Sequence, residues 1–227
     1  MDQQNKFTIP LAIVIAGGLI AGAMFFSGPA EEKTGGKQPI GSLTTEVSAD
    51  EHILGSFDAP IKLVEYADPR CPFCRSFHPT MKKIMSEYGT QGKVAWVYRH
   101  FAILGPESEV EAHATECATE LGGPQKFWEY MDLLFATKND RAQLPSGTTI
   151  EDLALETGLE IEAFRSCMKS GKHTDKIASM REMATADGGQ GTPYTLLVDS
   201  KGEVVVISGA QPYENVKEVV EEALADL

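Results

Sequence analysis

The sequence of 227 residues has no block of basic residues and no excess of positive charge. Its 20 Lys and Arg are scattered among 33 Asp and Glu, which gives a formal net charge of −13. Proteins that bind nucleic acid need clustered Lys and Arg to neutralise phosphates, so we expect no nucleic acid partner. Hydrophobic residues make up 42% of the chain and charged residues 23%, which is ordinary for a globular protein and excludes a wholly disordered one.

The sequence is also poor in residues that could hold a metal ion. It has four Cys and five His, with no second Cys-x-x-Cys and no His-x-x-x-His. A structural zinc site needs four neighbouring ligands, so the single Cys-x-x-Cys is better explained as a redox site than as half of a zinc knuckle. His52, His100, His113 and His173 have no mutual spacing that suggests a metal or catalytic set, and we predict surface or helix-capping positions for them. We expect no metal and no cofactor.

One stretch near the N-terminus lacks charge altogether, from residue 7 to residue 30. About 20 apolar residues cross the ~30 Å hydrocarbon core of a bilayer, so we predict a single transmembrane anchor at residues 7–26. A cleaved signal peptide, with the small residues Ala-Gly-Ala at 21–23 as its cleavage site, is the alternative. Lys6 precedes the span and acidic residues follow it, which predicts a cytoplasmic N-terminus at residues 1–6 and a domain outside the cytoplasm.

A β-α-β unit opens the folded domain, which we place at residues 47–227, after a flexible linker at residues 27–46 that is rich in Gly, Ser and Pro. Residues 61–67 and 93–101 are rich in β-branched and aromatic side chains and predict two strands. The segment between them begins at a Cys-Pro-Phe-Cys motif and predicts a helix. Such a unit is expected to have parallel strands joined by a right-handed crossover.

Helical patterns then occupy about residues 102–188, where Thr149 and Asp152 predict a capping box. Two strands follow at residues 194–198 and 203–207, joined by a hairpin, and an amphipathic helix comes after them. This order predicts an α/β protein with a thioredoxin-like fold and a helical insertion, preceded by the N-terminal transmembrane helix.

Cys71 and Cys74 stand at the start of the predicted first helix. The first sulfur would lie beside unpaired backbone N–H groups and the positive end of the helix dipole, and both stabilise a thiolate. The second sulfur, buried about one turn later, could attack or close the disulfide. A thiolate of low pKa makes the disulfide easier to reduce, and hence a better oxidant toward other proteins. The motif therefore predicts a redox-active pair.

Three segments together resemble the DsbA-like thiol:disulfide oxidoreductases of the thioredoxin superfamily. They are LGSFDAPIKLVEYADPRCPFCRSFHPTMKKI around the motif, TECATELGGPQKFWEYMDLLF in the helical insertion and GTPYTLLVD near the C-terminus. The resemblance covers residues 48–227. It implies that Cys71 and Cys74 are catalytic and that Pro72 and Phe73 complete the redox-active motif.

The resemblance also implies roles for three residues away from the motif. Thr192 and Pro193 match a loop with a cis-proline that faces the disulfide and leaves backbone groups for an extended substrate. Glu65 matches the family's buried acid, whose pKa would be raised and which could relay the proton of Cys74. The alternative for Glu65 is a solvated charge at the end of a strand.

Cys117 and Cys167 match a second, structural disulfide that part of the family has. Closing a loop of about 50 residues could stabilise the fold by roughly 4 kcal/mol. A second redox-active pair, or two unpaired buried thiols, are the alternatives.

The motif departs from the best-known oxidants of the family at its third position, which is often His and here is Phe73. A His there helps to hold the thiolate, so its absence predicts a less oxidising pair. Arg70, next to Cys71, could compensate electrostatically.

We therefore expect a protein disulfide oxidase that acts on reduced exported polypeptides at the outer face of the cell membrane. The resemblance implies re-oxidation by a quinone-linked membrane partner. A disulfide reductase or isomerase would use the same residues, and a non-catalytic peptide-binding module or chaperone would use the groove at Pro193. A copper or zinc delivery protein would bind its metal through Cys71, Cys74 and His78.

Overall fold

The computed structural model describes residues 43–227, which contain one five-stranded mixed sheet. Strands β2 and β3 pair in parallel, whereas β1 pairs with β3, and β4 with β2 and β5, in antiparallel fashion. In sheet order β1-β3-β2-β4-β5, the strands are β1 (His52–Leu54), β3 (Val94–His100), β2 (Ile61–Ala67), β4 (Tyr194–Asp199) and β5 (Val204–Ser208). The parallel pairing of the two central strands confirms the β-α-β unit that the sequence predicts.

The helices divide into two that belong to the sheet motif and five that form the insertion. Helix α1 (Pro72–Ile84) connects β2 to β3 and continues into a π-helical turn (Met85–Gly89). The insertion contains α2 (Pro106–Gly122), α3 (Pro124–Thr137), α4 (Ile150–Glu156), α5 (Ile161–Ser170) and α6 (Thr174–Ala186), and α7 (Tyr213–Ala225) follows β5. The predicted α/β fold with a helical insertion is therefore confirmed for the described residues.

Alternation along the central strands produces a core on each face of the sheet, because successive side chains of a strand point to opposite faces. On one face, Leu63 and Trp96 pack in the same buried cluster as Phe77 of α1. On the other face, Val64 packs in a second buried cluster with Ala184 of α6. Both faces are covered, which explains why β2 and β3 read as nearly continuous apolar runs.

One capping motif is placed as the sequence predicts. The Thr149 hydroxyl oxygen accepts a hydrogen bond from the Asp152 amide at 3.2 Å, and the Asp152 carboxylate accepts one from the Thr149 amide at 2.7 Å. The strand β1, by contrast, was not predicted, because its three residues are too few to show alternation. It pairs His52 with Tyr98 at the edge of the sheet.

The predicted anchor at residues 7–26, the N-terminus at 1–6 and most of the linker at 27–46 lie outside the described residues. Within residues 43–227, no helix has the length and apolar character that a bilayer crossing requires.

Arg99 binds the segment that precedes β1 to the sheet. Its fully buried guanidinium donates two hydrogen bonds to Glu51, at 2.7 and 3.0 Å, and one to the Tyr66 hydroxyl oxygen at 2.7 Å. It also donates to the carbonyl oxygen of Thr45 at 3.0 Å, although the sequence placed Thr45 in the flexible linker. The Tyr66 hydroxyl in turn donates to the Asp187 carboxylate at 2.5 Å. The end of the predicted linker is thus held against the domain.

A disulfide joins two helices of the insertion. Cys117 of α2 and Cys167 of α5 have their sulfur atoms 2.04 Å apart and their Cα atoms 5.9 Å apart. Both side chains are buried, and Cys117 faces the main core. The bond closes a loop with a sequence separation of 50 residues.

Removing this bond is predicted to lower the free energy of unfolding by about 4 kcal/mol, because the unfolded chain regains the entropy of an open loop. The change is Cys117→Ala with Cys167→Ala, made in a Cys71→Ser, Cys74→Ser background so that only one disulfide differs. Urea unfolding of both proteins measures the difference. A loss below about 1 kcal/mol would contradict the loop-entropy explanation.

Candidate active site

Cys71 and Cys74 lie at the junction between β2 and α1, both as free thiols and both buried. Cys71 is the N-cap residue of α1, with extended backbone angles of −80° and 121°, and Pro72 occupies the first turn. Proline suits this position because its missing N–H would have no partner there in any case. The structure therefore brings the two cysteines to the helix start that the motif predicts.

Asp68 fixes the loop that carries Cys71. Its fully buried carboxylate accepts hydrogen bonds from the amides of Arg70 at 2.7 Å, Ile103 at 2.8 Å and Leu104 at 3.0 Å. The amide of Cys71 donates to the Asp68 carbonyl oxygen at 3.0 Å. The segment after β2 and the segment after β3 are thus joined through one side chain. The sequence analysis gave no role to Asp68, which follows the predicted strand at residues 61–67.

A second loop faces Cys71 from the other side. The Thr192–Pro193 peptide bond is cis, and the Thr192 carbonyl oxygen lies 3.3 Å from the Cys71 sulfur. The Pro193 carbonyl accepts a hydrogen bond from the Gly209 amide at 3.1 Å, which connects the loop to the end of β5. An open cleft of about 290 Å³ runs along this loop, and its lining is Gly188, Gln190, Gly191, Thr192, Pro193, Tyr194, Ser208 and Gly209.

The surroundings of Cys71 favour its thiolate. A hydrogen bond from the Cys74 thiol lowers the pKa of Cys71 to about 6, against the opposing effect of burial. The Thr192 side chain and the amides of Cys74 and Phe73 contribute in the same direction. The two amides belong to the first turn of α1, where N–H groups have no helical partner. They face the sulfur of Cys71, although no side-chain capping hydrogen bond of ordinary geometry forms there. Cys71 is therefore mostly ionised at neutral pH.

Cys74 has the opposite character. Burial raises the pKa of Cys74 well above its ordinary value, and the hydrogen bond that it donates to Cys71 and the charges of Cys71 and Glu65 act in the same direction. Two thiols three positions apart thus differ in acidity, because one lies at the helix end and the other lies inside the core.

Glu65 lies in the centre of β2 and is only 2% exposed, so the alternative of a solvated strand-end charge is excluded. Burial raises the pKa of Glu65 to about 8, and the Cys71 charge adds to that shift. The neighbouring Trp96 indole opposes it without completing a hydrogen bond of ordinary geometry. At neutral pH this carboxyl group is therefore mostly protonated.

Glu65 belongs to a row of buried polar groups that sequence reasoning did not find. In the sheet register it pairs with Tyr98 of β3 and Thr195 of β4. The Tyr98 hydroxyl, the Thr195 hydroxyl and one oxygen of Glu65 have no hydrogen-bond partner among the described residues. Polar atoms on adjacent strands at one register level are invisible in a linear sequence, since they depend on the pairing.

A buried ion pair supports the active-site loop from the insertion. The Lys138 ammonium group, fully buried, donates to the Pro69 carbonyl oxygen at 2.7 Å and binds the Glu111 carboxylate. Arg70, which the sequence suggested as a partner for the Cys71 thiolate, has its guanidinium 3.6 Å from Glu111. The structure thus pairs Arg70 with an acid of the insertion.

The prediction of surface or capping histidines is wrong for three of the four residues. His52 and His100 are buried, with Nε2 atoms 2.8 and 3.4 Å from a Glu116 oxygen. His113 is buried as well. Only His173 holds the predicted position, as the N-cap residue of α6. Tertiary packing places the Glu116 carboxylate beside the rings of His52 and His100, and the spacing of these residues along the chain does not indicate that contact.

Residues 47–222 match the model of the protein family described as thioredoxin. The chain is 28% identical over 184 residues to disulfide bond formation protein D of Bacillus subtilis, and the match covers 76% of both chains. It is also similar to the crystal structure of Pseudomonas aeruginosa DsbA2, with a TM-score of 0.66 and 26% identity, over 81% of this chain and 99% of that one.

A further similarity is to part of a larger protein. The chain is 30% identical over 162 residues to the Na(+)/H(+) antiporter NhaA 3 of Salinispora tropica. This match covers 70% of the present chain but only 23% of the antiporter. The chain therefore spans about a quarter of that relative.

Glu65→Gln in the reduced protein is predicted to change how stability depends on pH. The unfolded chain loses the Glu65 proton near pH 4.5 and the folded chain near pH 8, so between these values the folded state binds more protons. Wild-type stability then falls with rising pH by up to about 1.4 kcal/mol per unit from this group alone. The variant lacks this contribution, so it should gain stability relative to wild type as pH rises through this window.

Urea unfolding at several pH values measures this difference. The lowered pKa of Cys71 also affects stability, but it is present in both proteins and largely cancels. Glu218→Gln, on the exposed face of α7, is the matched loss of one carboxyl group and should show no such trend. A constant difference between Glu65→Gln and wild type from pH 5 to pH 8 would contradict the raised pKa.

Proposed function

This chain belongs to the thioredoxin family, and on that premise we propose that it is an extracytoplasmic thiol:disulfide oxidoreductase that introduces disulfides into exported proteins. The observation that carries the proposal is the unequal acidity of the two thiols in one Cys-Pro-Phe-Cys motif. Cys71, with a pKa of about 6, is a stable thiolate and therefore a good leaving group, whereas the pKa of Cys74 is well above its ordinary value. Such a pair favours the reduced form and so oxidises other dithiols.

The reaction starts from the Cys71–Cys74 disulfide. A substrate thiolate attacks the Cys71 sulfur, a mixed disulfide forms, and Cys74 leaves as a thiolate that takes up a proton. Glu65 is mostly protonated at neutral pH, and a charge on Glu65 raises the pKa of Cys74, so the two groups lie near enough to interact, which supports Glu65 as the source of that proton. A second substrate thiolate then attacks the substrate sulfur of the mixed disulfide and releases the Cys71 thiolate. Two electrons pass from the two substrate thiols to the cysteine pair.

The surface around the motif suits an extended, partly unfolded polypeptide. The cleft along Thr192 and Pro193 begins 3.3 Å from the Cys71 sulfur, at the Thr192 carbonyl. Phe73 is 66% exposed in the motif itself, and Ile103 and Leu104, whose amides bind Asp68 beside the motif, are also exposed. Exposed apolar side chains next to backbone groups can bind many sequences, because neither element selects one side chain.

Continued oxidation needs an electron acceptor for the reduced pair. We assign this role to a quinone-linked membrane protein, and we assign the segment at residues 7–26 the role of holding the domain at the outer face of the cell membrane. The name of the Bacillus subtilis relative, disulfide bond formation protein D, supports the oxidising direction.

A disulfide reductase or isomerase is the second candidate, and Phe73 is the observation that favours it. A His at that position would donate to the thiolate, whereas the exposed Phe73 ring cannot. The reduction potential of the Cys71–Cys74 couple, measured in glutathione buffers, separates the two functions. A value around −120 mV supports the oxidase, and a value around −270 mV, as in thioredoxin, would replace it with the reductase.

Cys71→Ser with Cys74→Ser is predicted to abolish the oxidation of a reduced, unfolded model protein, because no disulfide remains to accept electrons. The free thiols of the model protein are counted over time. His78→Ala, one turn after Cys74, is the control that keeps both cysteines. If the double variant still promotes recovery of the model protein as wild type does, the domain acts as a non-catalytic peptide-binding module.

Phe73→His is predicted to make the pair more oxidising. An imidazole at this exposed position can donate to the Cys71 thiolate and lower its pKa further. For this two-electron couple, each unit of pKa lowering corresponds to a rise in reduction potential of about 30 mV. Phe73→Leu, which keeps an apolar side chain, is the matched control. A potential that stays the same while the pKa of Cys71 falls would contradict the link between the two.

A further inference from the structure

The cleft beside the cysteine motif is formed mainly by one loop, residues 188–193, which we name the proline loop. It connects α6 to β4 and ends with the cis peptide bond between Thr192 and Pro193. The Thr192 carbonyl oxygen lies 3.3 Å from the Cys71 sulfur, so a polypeptide bonded to Cys71 lies against the loop. Any group that holds the loop at this distance therefore affects how a substrate binds.

The middle of the proline loop has few contacts of its own. Gln190 and Gly191 are exposed, and neither forms a hydrogen bond within the described part of the chain. At the end of the loop, the Pro193 carbonyl oxygen accepts the Gly209 amide at 3.1 Å. Apart from its contact with Cys71, the loop is thus held at its two ends, and the residue before its first end is Asp187.

Asp187 is the residue at which α6 ends and the proline loop begins. It is the C-cap residue of α6 and is only 5% exposed. The next two amides, of Gly188 and Gly189, donate to carbonyl oxygens of α6 at 3.1 and 2.8 Å. A Cβ atom at Gly189 would lie 2.9 Å from the Ala184 carbonyl oxygen, so only glycine fits there. The loop therefore leaves the helix close against its last turn, and its direction follows the position of Asp187.

Both oxygens of the Asp187 carboxylate accept hydrogen bonds from other segments. One oxygen accepts the Thr44 amide at 2.9 Å and also the Thr44 hydroxyl, and the other accepts the Tyr66 hydroxyl at 2.5 Å. The Asp187 carbonyl oxygen accepts the Tyr194 hydroxyl at 2.8 Å. One residue is therefore bound to the segment before β1, to β2 and to β4.

Arg99 compensates the charge of this carboxylate. Its guanidinium lies 3.9 Å from an Asp187 oxygen and donates to the Tyr66 hydroxyl oxygen, and both charged side chains are fully buried. A buried ion pair is often no more stabilising than apolar residues of the same size, because burial removes the hydration of both charges. The pair is therefore better explained by where it holds Asp187 than by its net contribution to stability.

We propose that Asp187 is a positioning residue for the substrate cleft. It fixes the start of the proline loop to the sheet and to Thr44, and so keeps the Thr192–Pro193 backbone beside Cys71. An extended polypeptide can then pair with the loop while its own sulfur is bonded to Cys71. The role rests on the proposed function, since it takes the substrate to be a polypeptide, but it is the same for an oxidase and for a reductase.

The test uses the full-length chain with Cys74→Ser, in which Cys71 forms a stable mixed disulfide. Glutathione bonded to Cys71 is exchanged for an unstructured peptide that has one cysteine. The peptide sulfur bonds to Cys71 as the glutathione thiol is released, so one disulfide replaces another without net oxidation. The equilibrium constant of this exchange, measured by mass spectrometry after acid quenching, reports how far the surroundings of Cys71 favour a polypeptide over a small thiol.

Asp187→Asn in this background is expected to shift the equilibrium about tenfold away from the peptide, because an amide nitrogen cannot accept the hydrogen bonds that a carboxylate oxygen accepts. Thr44→Val removes one of these bonds at a more exposed residue, and it should shift the equilibrium about threefold in the same direction. Asp175→Asn, on the exposed surface at the other end of α6, is the matched loss of a carboxylate and should leave the equilibrium unchanged.

Circular dichroism and thermal unfolding show whether each variant is folded at the temperature of the exchange. Lower stability alone does not move the equilibrium while the protein stays folded, so a shift reports the cleft. If Asp187→Asn does not fold, Thr44→Val decides. An unchanged equilibrium in the folded variants would refute the positioning role.

The reduction potential of the Cys71–Cys74 couple separates this result from the proposed function. A thioredoxin-like potential together with a shifted exchange in Asp187→Asn would replace the oxidase and keep the positioning role. An oxidising potential together with an unshifted exchange would keep the oxidase and reject the role of Asp187.

Discussion

The geometry of the cysteine motif depends on the carboxylate of Asp68. This side chain is fully buried and accepts three backbone amides, one from its own loop and two from the segment that follows β3. A buried charge is tolerated only when hydrogen bonds replace its hydration, and here the three amides do so. Because the same residue ends β2 and accepts the Cys71 amide with its carbonyl, the position of Cys71 at the start of α1 follows from this one group.

That position divides the two cysteines into different electrostatic environments. Cys71 faces the unpaired amides of a helix start and receives a hydrogen bond from Cys74, so the pKa of Cys71 falls to about 6. Cys74 and Glu65 lie deeper, where burial raises the pKa of each. The thiolate of Cys71 and the neutral acid of Glu65 are therefore two results of one arrangement, a helix that starts shortly after the end of an almost entirely buried strand. Redox chemistry needs both, since one sulfur must leave easily and the other must receive a proton.

The sequence predicts the elements of this site better than its supporting groups. Local chemistry was sufficient for the strands of the β-α-β unit, for the Thr149 capping box and for the helix that starts at Cys71, because each depends on residues close in the chain. The acceptor role of Asp68, the buried position of Lys138 and the partners of His52 were not foreseen. These depend on contacts between segments tens of residues apart. From sequence alone a charged residue is predicted to be exposed, because the partner that would allow its burial is not known. β1 was missed for a simpler reason, since three residues carry no periodicity.

The helical insertion therefore does more than cover one face of the sheet. Lys138 stands at the end of α3 and donates to the Pro69 carbonyl, two residues before Cys71, while Glu111 of α2 holds both Lys138 and Arg70. Burial disfavours both charges, since it raises the pKa of Glu111 and lowers that of Lys138, so the pair contributes less to stability than its contact suggests. Its effect is instead geometric. The Lys138 ammonium group, at the end of α3, holds a carbonyl of the active-site loop, and Glu111 of α2, the helix that the disulfide joins to α5, holds that ammonium group.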